Sequence, residues 1–246
     1  MVTRRVVVCL DVKDGRVVKG TQFESLRDVG DPVELAEQYE ADGADEIVYL
    51  DISASVEARP TLLDLARRTA ERLFIPLTIG GGIRSSDDVA RALRAGADKV
   101  GVNTAAVQHP EILSECAARF GAQCVVASID AKRHGDRWMV YTHGGRERTP
   151  LDAVAWAREC VRRGAGELLV TSIDRDGARI GYDLELTAAI ADAGDAPVVA
   201  SGGAGTADHV GDAIALGHAD AALVAGILHE GVTTVRAIKE IGRAHV

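Results

Sequence analysis

A closed (β/α)8 TIM barrel, built as one domain over residues 1–246 from two like halves, is the fold this sequence predicts. Three observations lead there. Eight short β-branched runs alternate with longer amphipathic ones, the order that builds a parallel strand ring inside a layer of helices. The length, 246 residues, is close to the ~250 such a barrel commonly needs. The second half also repeats the first: Gly43-Ala44-Asp45-Glu46 returns as Gly164-Ala165-Gly166-Glu167, Gly81-Gly82 as Gly202-Gly203 and Gly96 as Gly217, each about 120 residues further on. Val8-Cys9-Leu10-Asp11 has a counterpart in Ala127-Ser128-Ile129-Asp130. A doubly wound open sheet also alternates strands and helices. It offers one phosphate loop near a reversal of strand order, whereas a ring of two equivalent halves presents two opposed loops.

In order, strands are expected at residues 5–11, 46–51, 76–79, 99–102, 124–130, 167–171, 197–201 and 221–224. Helical stretches fall near residues 32–42, 60–73, 86–95, 110–120, 151–163, 184–193, 206–216 and 231–241. Asp31-Pro32 is a good helix start, a capping carboxylate followed by proline at the first helical position. Gly43, Gly96, Gly164 and Gly217 each follow a helix and suit the left-handed residue that ends one. The polar stretch 132–149 is long for a connection, and Trp138-Met139-Val140-Tyr141 within it reads as a small hairpin over the site. Residues 13–27 carry Lys19 and Arg27 among Gly15 and Gly20; they read either as a mobile lid bringing cations to an anionic ligand or as a solvated loop.

Composition narrows the function. Apolar residues make up 47% and aromatics 4%, so Val, Ile, Leu and Ala must fill the core, as in strands buried on both faces. With 28 basic against 37 acidic residues and no basic run, the chain lacks a nucleic-acid surface. An anionic substrate stays compatible, because backbone amides bind phosphate locally. Cys9, Cys116, Cys124 and Cys160 are scattered, and the seven histidines show no ligand pair at helical spacing, so buried thiols and no metal are expected. Met1 leads directly into a charged strand-like run, and no apolar stretch approaches the ~18 residues that span a bilayer. A cytoplasmic protein without a membrane partner is the expectation.

Active sites of such barrels lie where strands end. Asp11, Asp51 and Asp130 occupy that point, and Asp11 and Asp130 end matching strands of the two halves, so they should face each other across the mouth as general acid and base. Either could instead cap a loop or bind a nearby Lys or Arg. Gly80-Gly81-Gly82 and Ser201-Gly202-Gly203-Ala204-Gly205 follow the third and seventh strands and precede helices, an arrangement suited to phosphate; Asn103-Thr104 and Ala225-Gly226 complete two cradles. Glycines that merely make tight turns are the alternative. Residues 171–177, with Thr171, Asp176 and Gly177, form a third loop suited to a sugar-like linker. Arg5, Glu46, Lys99 and Glu167 begin four strands at the opposite end, where two bases and two acids can close the floor as a salt-bridge ring.

These residues together resemble the cyclase subunits of imidazole glycerol phosphate synthase, a family of histidine biosynthesis, along nearly the whole chain. The resemblance is carried by Cys9-Leu10-Asp11-Val12-Lys13-Asp14-Gly15-Arg16-Val17-Val18-Lys19-Gly20, Leu26-Arg27-Asp28, Gly30-Asp31-Pro32-Val33-Glu34, Ile129-Asp130-Ala131-Lys132-Arg133 and residues 171–177 and 201–205. It implies a bisphosphorylated aminoimidazole-carboxamide ribonucleotide substrate with an open-chain ribulosyl arm. Ammonia adds to the ketone, and ring closure with carbon–nitrogen cleavage yields imidazole glycerol phosphate and aminoimidazole-carboxamide ribotide. Asp11 and Asp130 match the catalytic pair, and Lys19 a substrate contact. Gly82, Asn103 and Thr104 match one phosphate site; Asp176, Gly177, Gly203 and Ala225-Gly226 match the other.

No organic cofactor or metal is implied. The resemblance further implies a heterodimer in which a glutaminase subunit docks on the barrel floor and supplies ammonia through a gate matched by Arg5, Glu46, Lys99 and Glu167, with Asp98 at the interface. Four departures stand out. Gly226 and Gly101 replace serines, an extra residue lies near His218, and Leu228-His229-Glu230-Gly231 lacks an aromatic after the histidine. Two rivals share much of the pattern: the sister isomerase of the same pathway and a non-catalytic bisphosphate-binding subunit.

Overall fold

The computed structural model of the chain describes residues 4–21, 24–52 and 59–244. The first half runs β1 (Arg5–Lys13), β2 (Arg16–Thr21), β3 (Glu24–Gly30), α1 (Pro32–Ala41), β4 (Glu46–Asp51), α2 (Arg59–Ala70), β5 (Leu77–Gly80), α3 (Ser86–Arg94), β6 (Lys99–Val102), α4 (Thr104–Gln108) and α5 (Glu111–Phe120). The second runs β7 (Val125–His134), β8 (Arg137–Thr142), β9 (Glu147–Asp152), α6 (Ala153–Arg162), β10 (Glu167–Ser172), α7 (Leu184–Ala191), β11 (Val198–Ser201), α8 (Ala207–Ala215), β12 (Ala221–Val224), α9 (Gly226–His229) and α10 (Val235–Ala244). Strands β1, β4, β5, β6, β7, β10, β11 and β12 pair in that order, all parallel, and β12 returns to β1, so the ring is a closed (β/α)8 barrel. Among the described residues no helix is long and apolar enough to cross a membrane.

The half-barrel repeat reappears in the helix starts. Asp31 and Asp152 occupy equivalent places: Asp31 accepts from the Val33 and Glu34 amides, Asp152 from those of Val154 and Ala155. Ser85 and Thr206 likewise cap α3 and α8, accepting from Asp88 and His209. The repeat extends to the rim, where β1 and β7 run on beyond residues 11 and 130 into antiparallel hairpins with β2 and β8. Hairpin β7–β8 is the expected small hairpin, enlarged by β9. The segment 13–27, expected as a lid or solvated loop, is a ladder of β1, β2 and β3, with residues 22–23 lying outside those described.

Two other expectations are corrected. The helix expected from residue 151 begins at Ala153, because β9 extends through Asp152, its cap. Gly43, Gly96 and Gly164 take the left-handed conformation, but in the fourth turn His218 does so, at φ 57°. The extra residue there moves the turn by one position. Gly217 is instead required by a close approach, since a Cβ would lie 2.6 Å from the Ala213 carbonyl oxygen.

Those four turns share a finer device. In three of them an aspartate before the strand reaches back to the first amides of the preceding one. Asp45 accepts from Val6 N at 2.7 Å, Asp98 from Leu77 N at 2.8 Å and Asp220 from Val198 N at 3.0 Å. Backbone amides of the same residues donate to Val6, Leu77 and Val198 carbonyls. Gly166 holds the fourth place: its amide donates to Val125 O, and a Cβ would lie 2.3 Å from Ala122 O, so no side chain fits. The strand ends thus carry a fourfold pattern in which one member has lost its clamp.

The β12–β1 junction is sewn by side chains as well. Asp42 accepts from Val235 N at 2.7 Å, Lys239 donates to Asp45 at 2.6 Å, and His229 bridges Tyr39 OH and the Cys9 carbonyl. Elements made last are thereby tied to the first strand–helix unit.

A charged acceptor on a strand-end amide contributes on the order of 1–2 kcal/mol. Asp98→Ala should lower stability by about that amount, while Asp98→Asn, which keeps an acceptor oxygen, should lose less. Urea unfolding midpoints of the three proteins measure this, and equal midpoints would remove the clamp from the energetics of the fold.

Candidate active site

Side chains alternate along a strand, so every second residue of a barrel strand enters the lumen. On β1, Val7 and Cys9 belong to the small lumen cluster with Val48, Val126, Leu169, Val199, Ala221 and Leu223, whereas Val6, Val8 and Leu10 pack in the layer between strands and helices. Arg5 and Asp11 are in step with Val7 and Cys9. They therefore face the same lumen at opposite ends, about 20 Å apart at ~3.3 Å per residue. Val126, Ser128 and Asp130 follow the same rule on β7, which brings Asp130 to the mouth beside Thr171 of the neighbouring β10.

Three carboxylates share this mouth. Burial foremost, then the charge of Asp176, pushes Asp11 up to about 7; the Cys9 thiol, 3.9 Å from Oδ1, opposes weakly. Burial and Asp176 likewise push Asp130 up to about 6, against a 2.9 Å hydrogen bond from Asn103 Nδ2. Burial raises Asp176 too, with the Gly177 amide opposing. Sequence reasoning assigned Asp176 to a phosphate loop and missed its place in this group. The turn after β10 folds back on itself, with Asp176 N donating to Ser172 O at 2.9 Å, and so aims the carboxylate inward. Like charges in a dry space resist joint ionisation, so near neutral pH the mouth holds both a carboxylic acid and a carboxylate. Asn103 Oδ1 is, among the described residues, a buried side-chain oxygen without a hydrogen-bond partner.

The two glycine loops stand at equivalent rims, after β5 and β11. Gly81, Gly202 and Gly203 have φ of 89°, 86° and 110°, and a Cβ on Gly81 or Gly203 would lie 2.3 Å from Asp51 O or 2.2 Å from Gly181 O. Close packing of neighbouring loops thus requires these glycines whatever they bind. Beside each loop begins a short helix, α4 after Asn103 and α9 after Ala225, and neither start receives a side-chain cap. A glycine loop with the start of a short extra helix is the recurrent phosphate-binding arrangement of this barrel. The side chains at the start of α4 are engaged: Asn103 with Asp130, and Thr104 Oγ1 with the His143 amide at 3.0 Å. Gly101, in step with Asn103, faces Ser128 Oγ, which would lie 3.1 Å from an added Cβ. Ser201 ends β11 next to Thr171, Gly82 lies in the first loop, and Asp51 ends β4 opposite Val12.

Lys19 stands apart from the carboxylates. It lies on β2, where its Nζ donates to Gly226 O at 3.1 Å and pairs with Glu230, on the rim of the second glycine loop. His229, between them, is driven down to about 4, chiefly by burial. Neutral at working pH, its ring donates from Nε2 to the Cys9 carbonyl and accepts from Tyr39 OH at Nδ1, pinning α9 to the strand that bears Asp11.

At the floor, Arg5, Glu46, Lys99 and Glu167 form the expected cycle. Arg5 donates to Glu46 at 3.0 Å and to Glu167, and Lys99 donates to the same two carboxylates at 2.7 Å each. Thr78 adds a 2.6 Å bond to Glu46. Asp98, expected at an interface, spends Oδ2 on the strand clamp described above.

A family model described as histidine biosynthesis protein matches residues 5–234. The chain is 74% identical to the imidazole glycerol phosphate synthase subunit HisF of Myxococcus xanthus, over 99% of this chain and 96% of the relative. It is 58% identical to the subunit of that name from Bacillus licheniformis, with 97% and 96% covered, and 57% identical to that of Thermosynechococcus vestitus, with 97% and 87% covered. The lumen geometry, the halves and these likenesses agree: the chain belongs to the histidine biosynthesis protein family, among its imidazole glycerol phosphate synthase HisF subunits.

Proposed function

We propose that the chain is the cyclase of imidazole glycerol phosphate synthase and that Asp11 and Asp130 perform its proton transfers. The observation that carries this reading is the pair itself: two carboxylates at equivalent places in the two halves, held at about 7 and about 6 by burial and a shared third charge. Proton transfer is most effective from groups whose pKa lies near the working pH. One carboxyl of the pair protonates the ribulosyl ketone oxygen as ammonia attacks, and the other removes a proton from the added nitrogen. The hydroxyl so formed is protonated and leaves as water to give the imine, and cyclisation and elimination reuse the pair with the proton returned. The glycine loops with α4 and α9 anchor the two phosphates, which places the reacting carbon between the carboxylates and removes the entropy of finding that geometry. The sister isomerase would have no use for the floor cycle.

The floor cycle supports the partner assignment. A glutaminase docked beneath Arg5, Glu46, Lys99 and Glu167 delivers ammonia into the lumen, with Asp98 beside the contact, and the relatives are themselves named as subunits. Its charges are paired off, so the cycle is held shut by attraction and parts only when a partner supplies compensating contacts.

The direct test incubates the chain with the ribulosyl bisphosphate and an ammonium salt, without any glutaminase, and follows imidazole glycerol phosphate. Turnover is expected in the unaltered chain; Asp11→Asn and Asp130→Asn should abolish it while bisphosphate still binds. Near-normal turnover in both variants would refute the acid–base assignment.

A carboxyl raised in the folded state binds its proton more tightly there than in the unfolded chain, so its ionisation costs stability as pH climbs from its ordinary 3.8 through the folded value. Asp11→Asn should therefore raise stability by about 4 kcal/mol at pH 8 and confer little near pH 4. Thermal melts at the two pH values read this difference, and a gain at pH 4 equal to that at pH 8 would contradict it.

Lys99→Met leaves two buried carboxylates facing Arg5 alone. It should destabilise the chain by about 2–4 kcal/mol and depress glutamine-driven turnover more than ammonium-driven turnover. Equal loss with both nitrogen sources would separate the cycle from ammonia delivery.

A further inference from the structure

At the rim of the second glycine loop three cations converge on one carboxylate. Lys19 pairs with Glu230 Oε1, Arg27 Nη2 lies 3.8 Å from that oxygen, and Arg179 pairs with Oε2. These cations come from separate elements. Lys19 and Arg27 face one another across the β2–β3 ladder, and Arg179 lies in the loop after β10, its carbonyl against Gly205 of the glycine loop. Lys19 Nζ also donates to the Gly226 carbonyl, and a Cβ on Gly226 would lie 3.0 Å from that nitrogen. Two positions that depart from the family pattern, Gly226 and Glu230, therefore meet on one ammonium group. Gly226 leaves room for it, and Glu230 holds it.

We propose that Glu230 sets phosphate affinity at this rim by serving as an internal anion, holding Lys19, Arg27 and Arg179 until a substrate phosphate takes its place. This rests on the proposed function for the identity of the substrate. The charge balance among the described residues favours it: three cations against one carboxylate leave an excess of positive charge, the condition for attracting a second anion. A phosphate oxygen arriving at Gly203 and Ala225-Gly226 competes with Glu230 for the same donors and is repelled by its charge. Glu230 stays ionised throughout the working range, held down to about 2 by Lys19 foremost and by Arg179. The carboxylate cannot be neutralised to make way, so it must be displaced. The paired strands β2 and β3 are thus fastened to this rim through Lys19 and Arg27.

Glu230→Gln removes the charge and keeps the shape. Calorimetric titration with inorganic phosphate should show binding about two- to fivefold tighter than in the unaltered chain, the range that half-exposed ion pairs support. Limited trypsin digestion without ligand, scored by mass for the cut after Lys19, should accelerate by a similar factor, because the ammonium is released. Gly226→Ser, which displaces Nζ without touching Glu230, should accelerate the same cut. In turnover, Glu230→Gln should lower KM for the bisphosphate with the change absent from kcat. Phosphate binding that is equal or weaker in Glu230→Gln, with the Lys19 cut unchanged in both variants, overturns the proposal. Phosphate binding and digestion need no turnover, so failure of the unaltered chain to cyclise would sink the proposed function and leave this reading to stand or fall separately.

Discussion

Because side chains alternate along a strand, the residue that faces the lumen at the floor of β1 dictates which one faces it at the mouth. Arg5, Val7, Cys9 and Asp11 are in step, and a one-residue slip would send all four into the helix layer. The parallel register transmits this parity around the ring. Val7 stands beside Glu46 and Asp130 beside Thr171, so each strand's choice of face constrains its neighbour's. A barrel of valines would satisfy packing alone. This one commits the ends of the lumen-facing rows to charge.

The two ends treat that charge in opposite ways. At the floor, two acids and two bases close a cycle in which each carboxylate meets both cations, which offsets the desolvation that burial imposes. At the mouth, Asp11 meets the Cys9 thiol, Asp130 the Asn103 amide and Asp176 the Gly177 backbone amide, and among the described residues no cation lowers them. The same fold therefore stores uncompensated charge at one end and cancels it at the other. That asymmetry arises from side-chain choice, since the backbone halves are alike.

Much of this was legible in the sequence. The β-branched runs at 46–51, 99–102 and 221–224 coincide with β4, β6 and β12, and the repeat placed both glycine loops and the aspartate pair. What escaped depends on contacts distant in sequence. Nothing near Lys19 announces a partner 211 residues away. The strand clamps were invisible because an aspartate before a strand reads as a turn residue until its partner amide on another strand is known. Asp176 escaped because its direction is set by how a turn folds back on Ser172, and Gly217 misled because one extra residue passed the left-handed position to His218.

The seam between β12 and β1 has a consequence for how the molecule comes into being. During synthesis β1 is made first, and its free edge waits for a partner more than two hundred residues downstream. Until Ala221 arrives to pair with Arg5, that edge is an unpaired ladder of the kind that recruits stray strands. The bonds from Asp42 to Val235 and from Lys239 to Asp45 then act as a clasp, engaged only when the last helix arrives. Nascent barrels of this design keep that edge open from the time β1 is made until β12 and α10 follow it.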